Sequence, residues 1–152
     1  MQLWRLVKTR YAATAFDGEG ARVHGGRWNS PGTRVAYASS NSALAVLEVL
    51  VHMTAGAALP GYSLIRAHVP DPLVDELPAS ELPRSWRAFP VPPEVQAIGD
   101  AWVRLGGALV LTVPSAIVDG SYNVLINPQH VKFPQLVVES VQPFGFDPRL
   151  VR

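Results

Sequence analysis

Seven of the fourteen prolines fall between Pro70 and Pro93. Proline fixes φ, removes a backbone donor and pushes the residue before it out of the helical region. That density predicts a stretch without regular structure from 70 to 93. No apolar segment large enough for a second domain follows it, so it reads as a long loop laid over one core. The 152 residues then make one domain, residues 1–152. At that length roughly two thirds of the unfolded surface can be buried, so the core needs no metal or disulfide.

Around that loop, residues 2–7 and 34–38 have strand composition, and 62–69 alternates like a strand. Ser39, Ser40 and Asn41 offer N-cap oxygens to a helix running to about Met53, which Gly56 and Pro60 end. Residues 8–28 read as irregular and Gly-rich. Val95, Ile98, Trp102 and Leu105 fall at helical spacing over 94–105, with Gly106-Gly107 closing the helix. Residues 108–113, 124–126 and 136–141 are further strands. Mostly strands with two helices predicts an α+β fold rather than a doubly wound sheet.

Hydrophobic residues make up 48% and charged residues 16%, which excludes disorder and points to apolar surface covered by a partner or a second copy of the chain. A net charge of +1 gives no overall basic field for nucleic acid. Residues 1–34 are locally basic: Arg5, Lys8, Arg10, Arg22, Arg27 and Arg34 stand against Asp17 and Glu19. Such a patch is either a solvated face or a seat for a phosphorylated small molecule. Without cysteine, disulfides, thiolate nucleophiles and Cys-based zinc sites are excluded. The first residues lack the pattern of a signal peptide, and the apolar run 43–51 is too short to span a membrane. A cytoplasmic location is the expectation.

Glu48 breaks the pattern of its helix, Ala43-Leu44-Ala45-Val46-Leu47-Glu48-Val49-Leu50-Val51. Apolar residues on every face predict a helix buried on most sides. A carboxylate there costs several kcal/mol unless it is paired or protonated. It is therefore a structural ion pair or a functional acid. In Gly25-Gly26-Arg27-Trp28-Asn29 the glycines allow a tight turn whose N–H groups can face an anion, and Arg27 can add a bidentate grip on phosphate. The plainer reading is a tight turn beside a surface arginine. Ser115, in Val113-Pro114-Ser115, ends a strand, but no Gly-x-Ser-x-Gly surrounds it. Asn127-Pro128-Gln129-His130 is a polar turn. Glu48 and His52 have metal-ligand spacing without further spaced ligands, so no metal is expected. No Gly-x-Gly-x-x-Gly or Walker motif is present.

Together these residues resemble the RES-domain toxins of RES–Xre toxin–antitoxin pairs. The match runs through Trp4-Arg5, Gly25-Gly26-Arg27-Trp28-Asn29, Ala36-Tyr37-Ala38-Ser39 and Glu48. It resumes at Val113-Pro114-Ser115 and Asn123-Val124-Leu125-Ile126-Asn127-Pro128-Gln129-His130. The resemblance implies a fold similar to ADP-ribosyltransferases and a reaction on NAD as substrate, with its nicotinamide–ribose bond broken. NAD is then destroyed, or its ADP-ribose is passed to a target. It also implies an Xre-type helix-turn-helix antitoxin that blocks the site. Glu48 would stabilise the oxocarbenium-like ribose, and Arg27 and Arg5 would neutralise the pyrophosphate. Tyr37 would pack on the nicotinamide or its ribose, Ser115 would bind substrate or orient Glu48, and Asn127 would join the NAD-binding set.

Two other classes are open at this level. A nucleic-acid-binding module would use Arg5, Arg10, Arg27 and the four tryptophans, and would show salt-dependent binding. A non-catalytic partner-binding domain would leave Glu48 without a purpose. Release of nicotinamide from NAD separates both from an enzyme.

Overall fold

The computed structural model describes residues 1–54, 56 and 59–151. The strands are β1 (Gln2–Lys8), β2 (Ala36–Ser39), β3 (Tyr62–His68), β4 (Val74–Glu76), β5 (Val110–Pro114), β6 (Tyr122–Ile126) and β7 (Val137–Phe144). The α-helices are α1 (Glu19–His24), α2 (Ser42–Leu50) and α3 (Pro93–Leu105). All seven strands join one sheet in the order β4-β5-β6-β2-β1-β3-β7. Neighbours are antiparallel except β4 and β5, which are parallel. The chain is an α+β domain, as its pattern of strands and helices predicts.

Strand alternation divides the core into two faces. Leu3, Val7, Ala36, Ala38, Ile65, Ala67, Val110, Val124 and Ile126 fill one, under Ala15 and Phe16. Leu111, Val113 and Leu125 fill the other, against Val95 and Trp102 of α3 and Trp28 of the loop before β2. On that same second face Leu6 of β1 packs with Ala45 of α2.

Each helix has local causes. Asn41 Oδ1 accepts from Leu44 N at 2.9 Å and starts α2. Pro93 occupies the first turn of α3, where its missing N–H costs nothing, and Gly106 in the left-handed region stops it. Gly99 in the middle of α3 sets its seat. A Cβ there would lie 1.8 Å from Trp28 O, so only glycine lets the loop backbone touch the helix.

Three expectations need correcting. The Pro-rich span is not without regular structure. It holds β4, with Val74 opposite Val110, between short 3₁₀ turns at Asp71–Leu73 and Ala79–Glu81. Its prolines flank Val74-Asp75-Glu76 rather than interrupt it, and an edge strand needs ladder bonds on one side only. Residues 8–28 are not irregular throughout: a 3₁₀ turn covers Thr9–Thr14, and Asp17 Oδ1 receives Glu19 N at 2.9 Å where α1 begins. Finally, α2 is not buried on most sides. Leu44 and Ala45 are buried, but Leu47 and Val51 are 41% and 55% exposed, because the helix lies on one face of the sheet, over β1 and β2, with only its inner side covered. It also ends at Leu50, short of Met53.

Candidate active site

Ser39 ends β2 directly opposite Asn123 on β6, and both side chains lie on the face that carries α2. Ser39 Oγ donates to Asn123 Oδ1 at 2.8 Å. Asn123 Nδ2 donates to Glu48 Oε1 at 2.5 Å. Ser115, immediately after β5 and almost fully buried, donates through Oγ to the same Oε1 at 3.1 Å. The Ser115 hydroxyl oxygen accepts from Ile117 N and Val118 N, both at 3.2 Å. Its one proton is therefore committed to Glu48. Glu48 Oε2 makes no hydrogen bond among the described residues.

Tyr37 is two residues before Ser39 and so shares its face. Its hydroxyl donates to Asn29 Oδ1 at 2.6 Å and accepts from Trp28 N at 3.1 Å. Burial pushes its ionisation well above the usual tyrosine range, against the weaker opposing effect of the Trp28 N–H. Asn29 is fully buried, and its amide donates to the carbonyls of Ala21, Ser30 and Thr33. Gln96 and Asp100 of α3 complete the clamp. The Gln96 amide donates to Gly26 O at 3.0 Å, and Asp100 Oδ1 accepts from Ser30 N at 3.0 Å. The loop that bears Arg27 is thus held from both sides.

The Arg27 guanidinium leaves that loop toward the Pro-rich segment. Nη1 donates to Trp86 O at 2.8 Å and Ala88 O at 3.1 Å, and Trp86 stacks on Trp28 with ring centroids 6.1 Å apart. The remaining Arg27 N–H groups make no hydrogen bond among the described residues. Burial lowers the Arg27 pKa, and the charge of Glu48 is the largest opposing influence. The two form no ion pair among the described residues, yet the carboxylate is near enough for its charge to be felt at the guanidinium.

The structure brings Arg27, Tyr37, Glu48 and Ser115 together, and sets Arg5 and Asn127 apart. Arg5 alternates with Leu3 and Val7 onto the opposite sheet face, where burial pulls its pKa down to about 10. Its guanidinium donates to the backbone carbonyl of Tyr37 on the neighbouring strand β2, which makes it a brace under Tyr37. Asn127 follows the far end of β6 and closes a turn by accepting from Gln129 N at 3.0 Å. The glycine pair does not offer a free anion nest either. Gly25 N donates to Ala21 O at 2.8 Å and Gly26 N to Asn29 O at 2.9 Å. Gly26 is required for another reason: a Cβ there would lie 2.6 Å from the Tyr37 hydroxyl.

Sequence reasoning missed Ser39 and Asn123 as partners of Glu48. Both are polar residues on the inward face of strands, a signal that was present. The carbonyls of Trp86 and Ala88 carry no such signal, since any residue has one. Among the described residues no group of three or more His, Asp or Glu side chains is placed to hold a metal, and no helix is long and apolar enough to cross a membrane.

Fold and site define an α+β domain with a hydrogen-bonded carboxylate and a clamped loop arginine on one sheet face. The chain belongs to the RES domain family, whose model matches residues 2–147. It is 40% identical over 152 residues to "Toxin Res" of Yersinia enterocolitica, covering 99% of each chain. It is 34% identical to "Prs ADP-ribosylating toxin" of a Sphingobium species, covering 98% of this chain and 96% of that one. Among solved structures it resembles the M. tuberculosis MbcT–MbcA toxin–antitoxin complex, with a TM-score of 0.76 at 22% identity over 94% of this chain and 83% of that one.

Proposed function

We propose that this protein is the toxin of a toxin–antitoxin pair and that it breaks the nicotinamide–ribose bond of NAD. The observation that carries this is the Glu48 carboxylate, held through Oε1 by Asn123 and Ser115, with Oε2 free of hydrogen bonds among the described residues and its charge felt at Arg27. The names of the relatives in Yersinia and Sphingobium support the toxin role, and the latter supports a reaction on NAD, the usual donor of ADP-ribose.

In NAD the nicotinamide nitrogen carries the positive charge. When the C1′–N bond breaks, the electron pair goes to that nitrogen and neutral nicotinamide leaves without needing an acid. The charge passes to the ribose, where an oxocarbenium-like centre develops. The open oxygen of Glu48 stabilises it, because a carboxylate already fixed by Asn123 and Ser115 costs little reorganisation at the moment of reaction. The free N–H groups of Arg27 neutralise the pyrophosphate. Tyr37 cannot act as a base, since burial holds its proton on, and it serves as a ring wall and as the anchor of the Arg27 loop. The acceptor at C1′ is water, phosphate or a protein side chain. Each gives a different product: ADP-ribose, its 1″-phosphate, or labelled protein.

A shallow apolar depression lined by Leu47, Leu50, Val51, Ile117 and Val118 borders Glu48 and Ser115. It supports an antitoxin seated over the site. The deciding experiment is incubation of the pure protein with NAD, assaying free nicotinamide with and without phosphate. A third arm adds cell extract as a source of protein acceptors. Release above the rate without enzyme is the expected result in at least one arm, and none in all three overturns the proposal.

A further inference from the structure

We infer that Asn123 is a positioning residue for Glu48, and that Ser39 sets the direction of its amide. This rests on the NAD reading for its chemical meaning but on geometry for its substance. An asparagine amide can turn either end toward a neighbour. Here the two ends are distinguished. If Oδ1 faced Glu48, two acceptor oxygens would meet at 2.5 Å. With Nδ2 there instead, Oδ1 is left to receive the Ser39 hydroxyl at 2.8 Å. Ser39 is itself buried between strands, so this partner does not wander.

The consequence lies in which oxygen of Glu48 reacts. Oε1 receives two donors, Asn123 Nδ2 from β6 and Ser115 Oγ from the end of β5. They approach from two different strands and lock rotation about the terminal bond of the glutamate. Oε2 is then aimed into the cleft. Ser115 alone would not do this, because one hydrogen bond leaves the carboxylate plane free to swing. Glu48 sits on α2, whereas Asn123 sits in the middle of the sheet, so the contact also fixes the helix register against the strands. Misplacing a reacting group by about 1 Å can cost roughly 10²-fold in rate.

The test uses Asn123→Ala, Asn123→Asp, Ser39→Ala and Ser39→Thr in the full chain, with two readouts. In nicotinamide release, Asn123→Ala lowers kcat about 10²-fold with KM for NAD little changed. Asn123→Asp sets a second carboxylate against Glu48 and loses more at neutral pH, with activity returning in mild acid as the pair shares a proton. Ser39→Ala loses activity, and Ser39→Thr, which keeps the hydroxyl, retains it. The second readout needs no substrate: NMR relaxation of the Glu48 side-chain methylenes, where order falls in Asn123→Ala and Ser39→Ala and holds in Ser39→Thr. Wild-type order at Glu48 in Asn123→Ala, or wild-type kcat per folded molecule, overturns the inference. If the wild type itself releases no nicotinamide, the proposed function fails, and the relaxation data still decide whether Asn123 holds Glu48.

Discussion

The charge of Glu48 is felt at Arg27 although the two form no ion pair among the described residues, and that separation makes each testable alone. Glu48→Gln keeps the size and hydrogen-bonding reach of the side chain but removes the charge that offsets the ribose cation. Nicotinamide release should fall by about 10²-fold or more, with an unchanged thermal midpoint and circular dichroism spectrum. Equal NAD consumption by variant and wild type would remove Glu48 from the reaction. Arg27→Ala takes away binding that substrate and transition state share, so KM should rise with kcat largely kept. Arg27→Lys should fall between the two, because an ammonium cannot hold both Trp86 O and Ala88 O and still present a fork to phosphate. A collapse of kcat at fixed KM would move Arg27 into the chemical step. At this scale Glu48 and Arg27 were legible in sequence, since a carboxylate in an apolar run and an arginine beside two glycines break local rules. Asn123 was not singled out, because its role depends on a helix 75 positions away in the chain.

Among the elements, the contact between α3 and the Arg27 loop is the most exacting. Gly99 lets Trp28 O reach the helix surface, while Gln96, about one turn earlier, and Asp100, the next residue, bond the same loop. Gly99→Ala would force backbone apart from backbone, which no rotamer change can relieve. Overpacking of this kind costs about 1–3 kcal/mol. At roughly 2–4 °C per kcal/mol for a chain of this length, the melting midpoint should drop by several degrees, and KM for NAD should rise as Arg27 shifts. A variant that melts with the wild type would show that loop and helix do not press together. Elsewhere the periodicities of β1, β3 and α3 were readable because each buries one face. The six-residue α1 was not, since a single helical turn held by Asp17 and a Glu19–Arg22 pair has no apolar stripe to reveal it.

Taken whole, the domain exposes apolar side chains at several places, and those on the outer side of α2 and beside Ser115 join into one depression. A patch adjoining a polar cleft is suited to a partner that covers both. Expression of the protein alone should arrest growth, and co-expression with its antitoxin should restore it. Titrating antitoxin against the enzyme at low and high NAD should move the inhibition midpoint upward with NAD. Complete inhibition with a midpoint indifferent to NAD would point to a remote site and an allosteric account. Substituting Leu47 or Val51 by a charged residue should weaken the antitoxin without lowering basal NAD turnover, as measured by the same titration.

Local pattern was enough for the α+β class and for the rule-breaking Glu48, because each depends on properties that adjacent residues carry themselves, but not for β4 inside the Pro-rich span, whose pairing with β5 is long-range. Which polar groups meet could not be read that way. Glu48 finds Asn123 and Ser115 only when β5, β6 and α2 are packed, and Arg27 finds its carbonyls only when the Pro-rich segment folds back over Trp28. The same packing turned Arg5 to the other face of the sheet from Glu48. Strand parity, set by long-range pairing, decided that; its charge, visible in the sequence, did not.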